Sequence, residues 1–105
     1  MLRIYTDITT LLTELREPLA AIQRHDADLA RQLRRAATSV LLNVAEGSGH
    51  RGGLRRQRYR TALGSALEVV ACVDAGEALG YHAALSREAR QRLNKIVGTL
   101  VRLTR

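Results

Sequence analysis

The sequence contains no phenylalanine and no tryptophan, and only three tyrosines occur among its 105 residues. Large rings therefore cannot fill a core, and there is almost no aromatic platform on which unpaired bases could stack. The chain also has a single proline, while leucine and alanine, two residue types with high helix propensity, are abundant. We therefore predict an all-helical protein whose helices approach closely at alanine and other small residues.

Cysteine and long apolar runs are scarce as well. The single cysteine, Cys72, cannot form an internal disulfide, and no charged-then-apolar leader precedes the first predicted helix, so we expect a cytoplasmic protein. No run approaches the roughly eighteen apolar residues that a membrane-spanning helix requires, and we expect no membrane role. The length is typical of one domain, residues 1–105, with so small a core that self-association would help to stabilise it.

Positive charge is concentrated in one part of the chain. The formal net charge is +7, and residues 31–60 carry eight arginines and one acid, Glu46, whereas the remainder carries nine basic and nine acidic residues. The asymmetry predicts an anionic partner and a basic patch at one end of the molecule. The candidate nucleic-acid-binding residues are Arg31, Arg34, Arg35, Arg51, Arg55, Arg56, Arg58 and Arg60.

Apolar residues at helical spacing predict four helices. The first covers about residues 4–24, and Pro18 is expected to kink or break it near Arg16 or Glu17. Asp26 or Asp28 can cap the second helix, which ends at about residue 47 and is followed by a glycine-rich loop at 47–53.

The third predicted helix covers about residues 54–79 and the fourth begins after a capping residue, Ser86. Gly80 suits the left-handed position just past a helix, and Tyr81 would fold back onto that end. Four amphipathic helices with short connections predict an up-down-up-down antiparallel four-helix bundle. The apolar surface of the third helix is wider than one core needs, which favours contact with another subunit.

Three polar residues of the second helix, Ser39, Asn43 and Glu46, line the edge of its apolar face and predict a structural polar seam at a helix contact. Asn43 also begins the run Asn-Val-Ala-Glu-Gly-Ser-Gly. Further motifs are Tyr59, the run Ala-Leu-Gly-Ser-Ala-Leu-Glu at 62–68 and Leu-Gly-Tyr at 79–81. Together these motifs resemble those of the small four-helix-bundle proteins encoded in intervening sequences of bacterial 23S ribosomal RNA genes.

The resemblance implies further properties. Proteins similar to this one form five-membered rings, so a homopentamer is expected. They also include accessory proteins of diversity-generating retroelements, which bind nucleic acid and contact a reverse transcriptase. An accessory or scaffold subunit of a reverse transcriptase is therefore one alternative function. No catalytic role accompanies the family residues that match Asn43 and Glu46.

The hypothesis that follows is a non-enzymatic oligomer that binds structured RNA, or less favourably DNA, by electrostatic contact with phosphates. In a third reading, the protein is a purely structural oligomer whose arginines pair with acids within a subunit or across an interface, the candidates being Asp7, Glu14, Glu17, Asp26 and Asp28.

No cofactor or metal is predicted for this chain. The glycine-rich loop lacks the Gly-Lys-Ser/Thr ending of a nucleotide-binding loop. The three histidines lack ligand spacing with one another or with Cys72.

Overall fold

The computed structural model describes residues 3–105, which contain helices and no strand. There are five helices: α1 (Arg3–Glu14), α2 (Arg16–His25), α3 (Ala27–Ser48), α4 (Gly52–Ala78) and α5 (Arg87–Leu103). The prediction of an all-helical chain is confirmed. The prediction of four helices is wrong in number, because the interval expected to hold the first helix contains both α1 and α2.

The division between α1 and α2 falls at Leu15, next to the position where a break was expected. Pro18 lies in the first turn of α2, where its missing N–H and fixed φ are tolerated. Backbone hydrogen bonds still run on both sides of the junction, from the N–H of Leu15 to Leu11 O (2.9 Å) and from the N–H of Leu19 to Leu15 O (2.9 Å). Leu15 itself is fully buried, so the interruption leaves the apolar face continuous.

The predicted caps are present at the starts of α3 and α5. Asp26 Oδ1 accepts a hydrogen bond from the N–H of Leu29 (2.9 Å), and Ser86 Oγ accepts one from the N–H of Ala89 (3.1 Å). At the end of α4, Gly80 adopts a φ of +74°. The N–H of Tyr81 then bonds back to Gly76 O at 2.8 Å, which closes the helix as predicted.

Apolar side chains from all five helices form one core. Helix α3 contacts α1, α2 and α4, while α5 contacts α1 and α4. Buried alanines at the α3–α4 contact allow the two backbones to approach closely. The largest fully buried side chains are Ile8, Leu15, Ile22, Leu33, Leu93, Ile96, Leu100, Val44, Val69 and Val73.

Helices α3 and α4 form an antiparallel hairpin. Ser39 of α3 contacts Ser65 of α4, and nearer the connection Gly47 contacts Tyr59. The contacting residues therefore come closer together in sequence toward the connection, as in any antiparallel pair. The connection contains only residues 49–51, and the predicted loop at 47–53 is therefore too long.

The difference at the loop has a physical cause at Gly47. This glycine is buried inside α3, and a β-carbon there would lie 2.6 Å from Cε1 of Tyr59. Its missing side chain serves the close approach of two helices and does not mark a loop. Gly52 and Gly53 open α4, and Gly52 takes a φ of +59° as the chain enters that helix.

Candidate nucleic-acid interface

Five of the eight candidate arginines lie on the hairpin tip, which we define as residues 48–60. Within it only Tyr59 is buried, Ser48 is half-buried, and every residue from 49 to 58 is exposed. The contact between Gly47 and Tyr59 closes the base of the tip. The arginines of the tip are Arg51, Arg55, Arg56, Arg58 and Arg60.

The hairpin tip is positive without local compensation. Glu46 and Glu68 are the nearest acids in sequence, and no acid occurs in the first turn of α4. Arg51 occupies the N-cap position in an extended conformation, and no side chain caps the helix start. The positive end of the helix dipole and the first backbone N–H groups of α4 thus add to the positive charge of the arginines. Arginines at the start of a helix are unfavourable unless an anion is bound beside them.

Two arginines of the tip also contact α3. The Nε–H of Arg55 donates to the backbone oxygen of Gly47 at 3.3 Å, where it satisfies a carbonyl at the C-terminal end of α3. The β-carbon of Arg58 packs beside Gly47. Arg51, Arg56 and Arg60 are exposed and make no ion pair within residues 3–105.

The remaining three candidates form a second group, the α3 arginine group, which comprises Arg31, Arg34 and Arg35. All three are exposed, and they lie in the first half of α3. Arg35 and Ser48 are thirteen residues apart on one helix, a separation of about 20 Å at 1.5 Å per residue. The prediction that all eight arginines gather at one end of the molecule is therefore wrong, because the helical rise divides them into two groups.

The acids proposed as internal partners of these arginines are mostly engaged elsewhere. Asp7 lies 3.3 Å from Nζ of Lys95, and Glu14 accepts a hydrogen bond from Nε of Arg92 at 2.7 Å. The Glu14 bond is the main reason that the pKa of the Arg92 guanidinium is raised. Asp26 caps α3.

Among the eight candidates, only Arg31 forms an ion pair within residues 3–105, with Asp28. Both side chains of that pair are more than 60% exposed, so it contributes little to stability. Ion pairs inside one subunit therefore leave the charge of most of the eight candidate arginines without a partner within residues 3–105.

The structure joins two of the three residues of the predicted polar seam. Ser39 Oγ lies 2.8 Å from Ser65 Oγ, and Nδ2 of Asn43 donates to Ser39 O (2.9 Å) and Ser39 Oγ (3.1 Å). Glu46 is exposed and does not join this cluster, nor does Arg35. Helix periodicity indicated Ser39 and Asn43 but missed Ser65, which becomes a candidate only when α3 and α4 are paired in register.

Other candidate chemistry is limited within the described residues. Cys72 is 5% exposed, and burial, with a smaller contribution from Glu68, raises the pKa of its thiol. Residues 3–105 contain no cluster of three or more His, Cys, Asp or Glu residues suited to a metal ion. Over the same range, every helix is too short or too polar to cross a membrane.

The fold and the site together define an all-helical protein with an exposed, arginine-bearing helical hairpin. A family model described as 23S rRNA-intervening sequence protein matches residues 2–102. The chain belongs to this family, as the sequence resemblance indicated. No curated protein and no solved structure was found to match this chain.

Proposed function

We propose that this chain is a non-enzymatic cytoplasmic protein that binds structured RNA, in preference to DNA, through the hairpin tip and the α3 arginine group. It acts as a homo-oligomer, with the pentamer as the preferred assembly. Each protomer is an up-down-up-down four-helix bundle in which α1 and α2 together occupy the first position. One observation carries the proposal: all eight arginines are exposed, and seven of them have no ion-pair partner within residues 3–105.

Arginines held apart from acids favour phosphate as the partner. A guanidinium binds phosphate oxygens with paired hydrogen bonds, and release of counterions from the nucleic acid drives the association. The tip offers no tryptophan or phenylalanine, and its only tyrosine is buried. Binding should therefore read backbone charge and shape more than base identity.

Replacing Arg51, Arg56 and Arg58 together with alanine tests the interface. Because each guanidinium that contacts a phosphate displaces a counterion, the slope of log affinity against log salt should become shallower by about one per arginine. Affinity for a structured RNA should fall by at least about tenfold near physiological salt. Fluorescence-anisotropy titration over a salt series measures both quantities.

A matched control removes the same charge elsewhere. Arg16, Arg24 and Arg87 are exposed, lie outside the two arginine groups and make no ion pair within the described chain. Their triple replacement by alanine should leave the salt slope near the wild-type value. Equal losses in both triple variants would show that only net charge matters, and unchanged affinity in the first variant would remove the tip from the interface.

Self-association is supported by the outer face of α4, where Leu67 is 51% exposed. Gly64 and Ala71 lie near Leu67 on the outer side of α4, and both are exposed. Small residues beside an exposed leucine permit close helix approach, so this face of α4 is the proposed contact between copies.

Leu67→Glu should break the assembly without unfolding the protomer. A carboxylate without a partner is costly to bury at a subunit contact, whereas on a free surface it is tolerated. Light scattering should show a fall in mass to that of one chain while circular dichroism retains the helical signal. Leu79→Glu, at a similarly exposed leucine (62%) past the end of α4, should keep the wild-type mass. A wild-type mass for Leu67→Glu would remove this face from the proposed contact.

A further inference from the structure

Leu54 is an exposed apolar side chain in the middle of the positive hairpin tip. It lies in the first turn of α4 and is 58% exposed. Helix α3 ends at Ser48, so no helical residue of α3 remains to cover it. The buried leucines of the core are Leu11, Leu15, Leu33, Leu93 and Leu100, and none of them lies in α4.

Arginines lie on both sides of Leu54 in the sequence at the start of α4. Arg58 follows it by four positions, a spacing that places side chains on one side of a helix with β-carbons about 5–6 Å apart. Arg51 precedes it by three positions, as the extended N-cap residue of α4. Arg55 and Arg56 follow it directly. Leu54 is thus an apolar side chain between an arginine that precedes the helix and one on its own face, and residues 48–60 contain no acid.

We propose that Leu54 is a wedge that enters a weakly stacked step of duplex RNA, such as a single-nucleotide bulge, while Arg51 and Arg58 hold the phosphates on either side. The inference rests on the proposed RNA binding and specifies the feature that the tip selects. Leucine is among the apolar residues that unstack base steps in nucleic-acid complexes. Unstacking costs least where a base is already unpaired, so the wedge selects bulged duplex over perfect duplex.

Charge complementarity favours RNA over a second copy of this chain as the occupant. Two hairpin tips in contact would bring arginines together without an acid between them, because residues 47–67 contain none. A polyanion neutralises the same residues, and its stacked bases offer an apolar environment for the leucine side chain.

The test compares wild-type protein with Leu54→Ala on two RNA hairpins that differ only in a single-nucleotide bulge. A 2-aminopurine placed beside the bulge reports unstacking as a rise in fluorescence. Wild type should prefer the bulged hairpin by about tenfold and raise the fluorescence on binding. Leu54→Ala should reduce that preference to about twofold or less and abolish the fluorescence rise, while affinity for the perfect hairpin is retained because the phosphate contacts remain.

Leu79→Ala is the matched control, since Leu79 is 62% exposed and lies just past the other end of α4. It should behave as wild type in both readouts. An unchanged preference in Leu54→Ala overturns the wedge while leaving RNA binding intact. A lower assembly mass for Leu54→Ala also overturns it and assigns Leu54 to a subunit contact. Failure of wild type to bind either hairpin, at any salt, instead overturns the proposed function and the wedge with it.

Discussion

Replacing Leu33 with alanine is expected to lower the free energy of unfolding by about 2–5 kcal/mol. Leu33 is fully buried on α3, the helix that contacts α1, α2 and α4. Its loss removes apolar surface from the core and leaves a cavity that neighbouring helices cannot fill without moving. Urea unfolding followed by circular dichroism measures the change, at one fixed protein concentration because self-association contributes to apparent stability.

Leu42→Ala is the control on the same helix. Leu42 is 63% exposed, so its truncation should change the unfolding free energy of the protomer by no more than about 0.5 kcal/mol. A large and concentration-dependent loss in Leu42→Ala would place Leu42 in a subunit contact. Similar small losses in both variants would contradict the assignment of Leu33 to the core.

The core could be predicted well from periodicity, because burial on one face forces apolar residues to recur at helical spacing. Leu33, Val40 and Val44 of α3 recur at helical spacing in the sequence, and all three are buried. Capping chemistry likewise located the starts of α3 and α5, where Asp26 and Ser86 each bond a backbone N–H.

Helix boundaries predicted from glycine and proline positions were wrong where contacts between helices determine the structure. Gly47 occurs in a stretch with four glycines in seven positions, which favours a loop, yet it lies within α3. The residue is a glycine because the ring of Tyr59 occupies the space that a side chain would fill. Helix propensity contains no information about a partner twelve residues away. The junction at Leu15 was approximated from Pro18, whose ring and missing N–H act only on the preceding turn.

For the same reason, the candidate site could be predicted only in part from the sequence. Charge counting located the arginines but could not decide whether acids neutralise them, since that depends on which helices pack together. The α1–α5 contact engages Asp7 and Glu14 with Arg92, away from the hairpin tip. The exposure of Leu54 was equally hidden, because the length of α3 determines whether a leucine at that position is covered.

Gly47→Ala is expected to destabilise the hairpin by about 1–3 kcal/mol, the usual cost of adding a methyl group to a closely packed contact. The added β-carbon would lie 2.6 Å from Cε1 and 2.8 Å from Cδ1 of Tyr59, closer than carbon atoms approach without displacement. The ring must move, and the base of the hairpin tip opens. Gly49→Ala is the matched control, because Gly49 has a helical φ of −84° and a β-carbon there meets only Glu46 O at 3.5 Å.

A double-mutant cycle separates the ring contact from a general effect on helix α3. With Tyr59 replaced by alanine, the space beside Gly47 is vacated, so Gly47→Ala should become neutral or stabilising by up to about 1 kcal/mol through its better helix propensity. Chemical denaturation of all four proteins gives the coupling energy. If the alanine at 47 costs the same with and without the tyrosine ring, the ring does not require the glycine, and the closure of the arginine-bearing tip must depend on other contacts. If the coupling is large, this pair holds the arginines at a defined distance from α3, and RNA affinity should fall in Gly47→Ala although no charge has been removed.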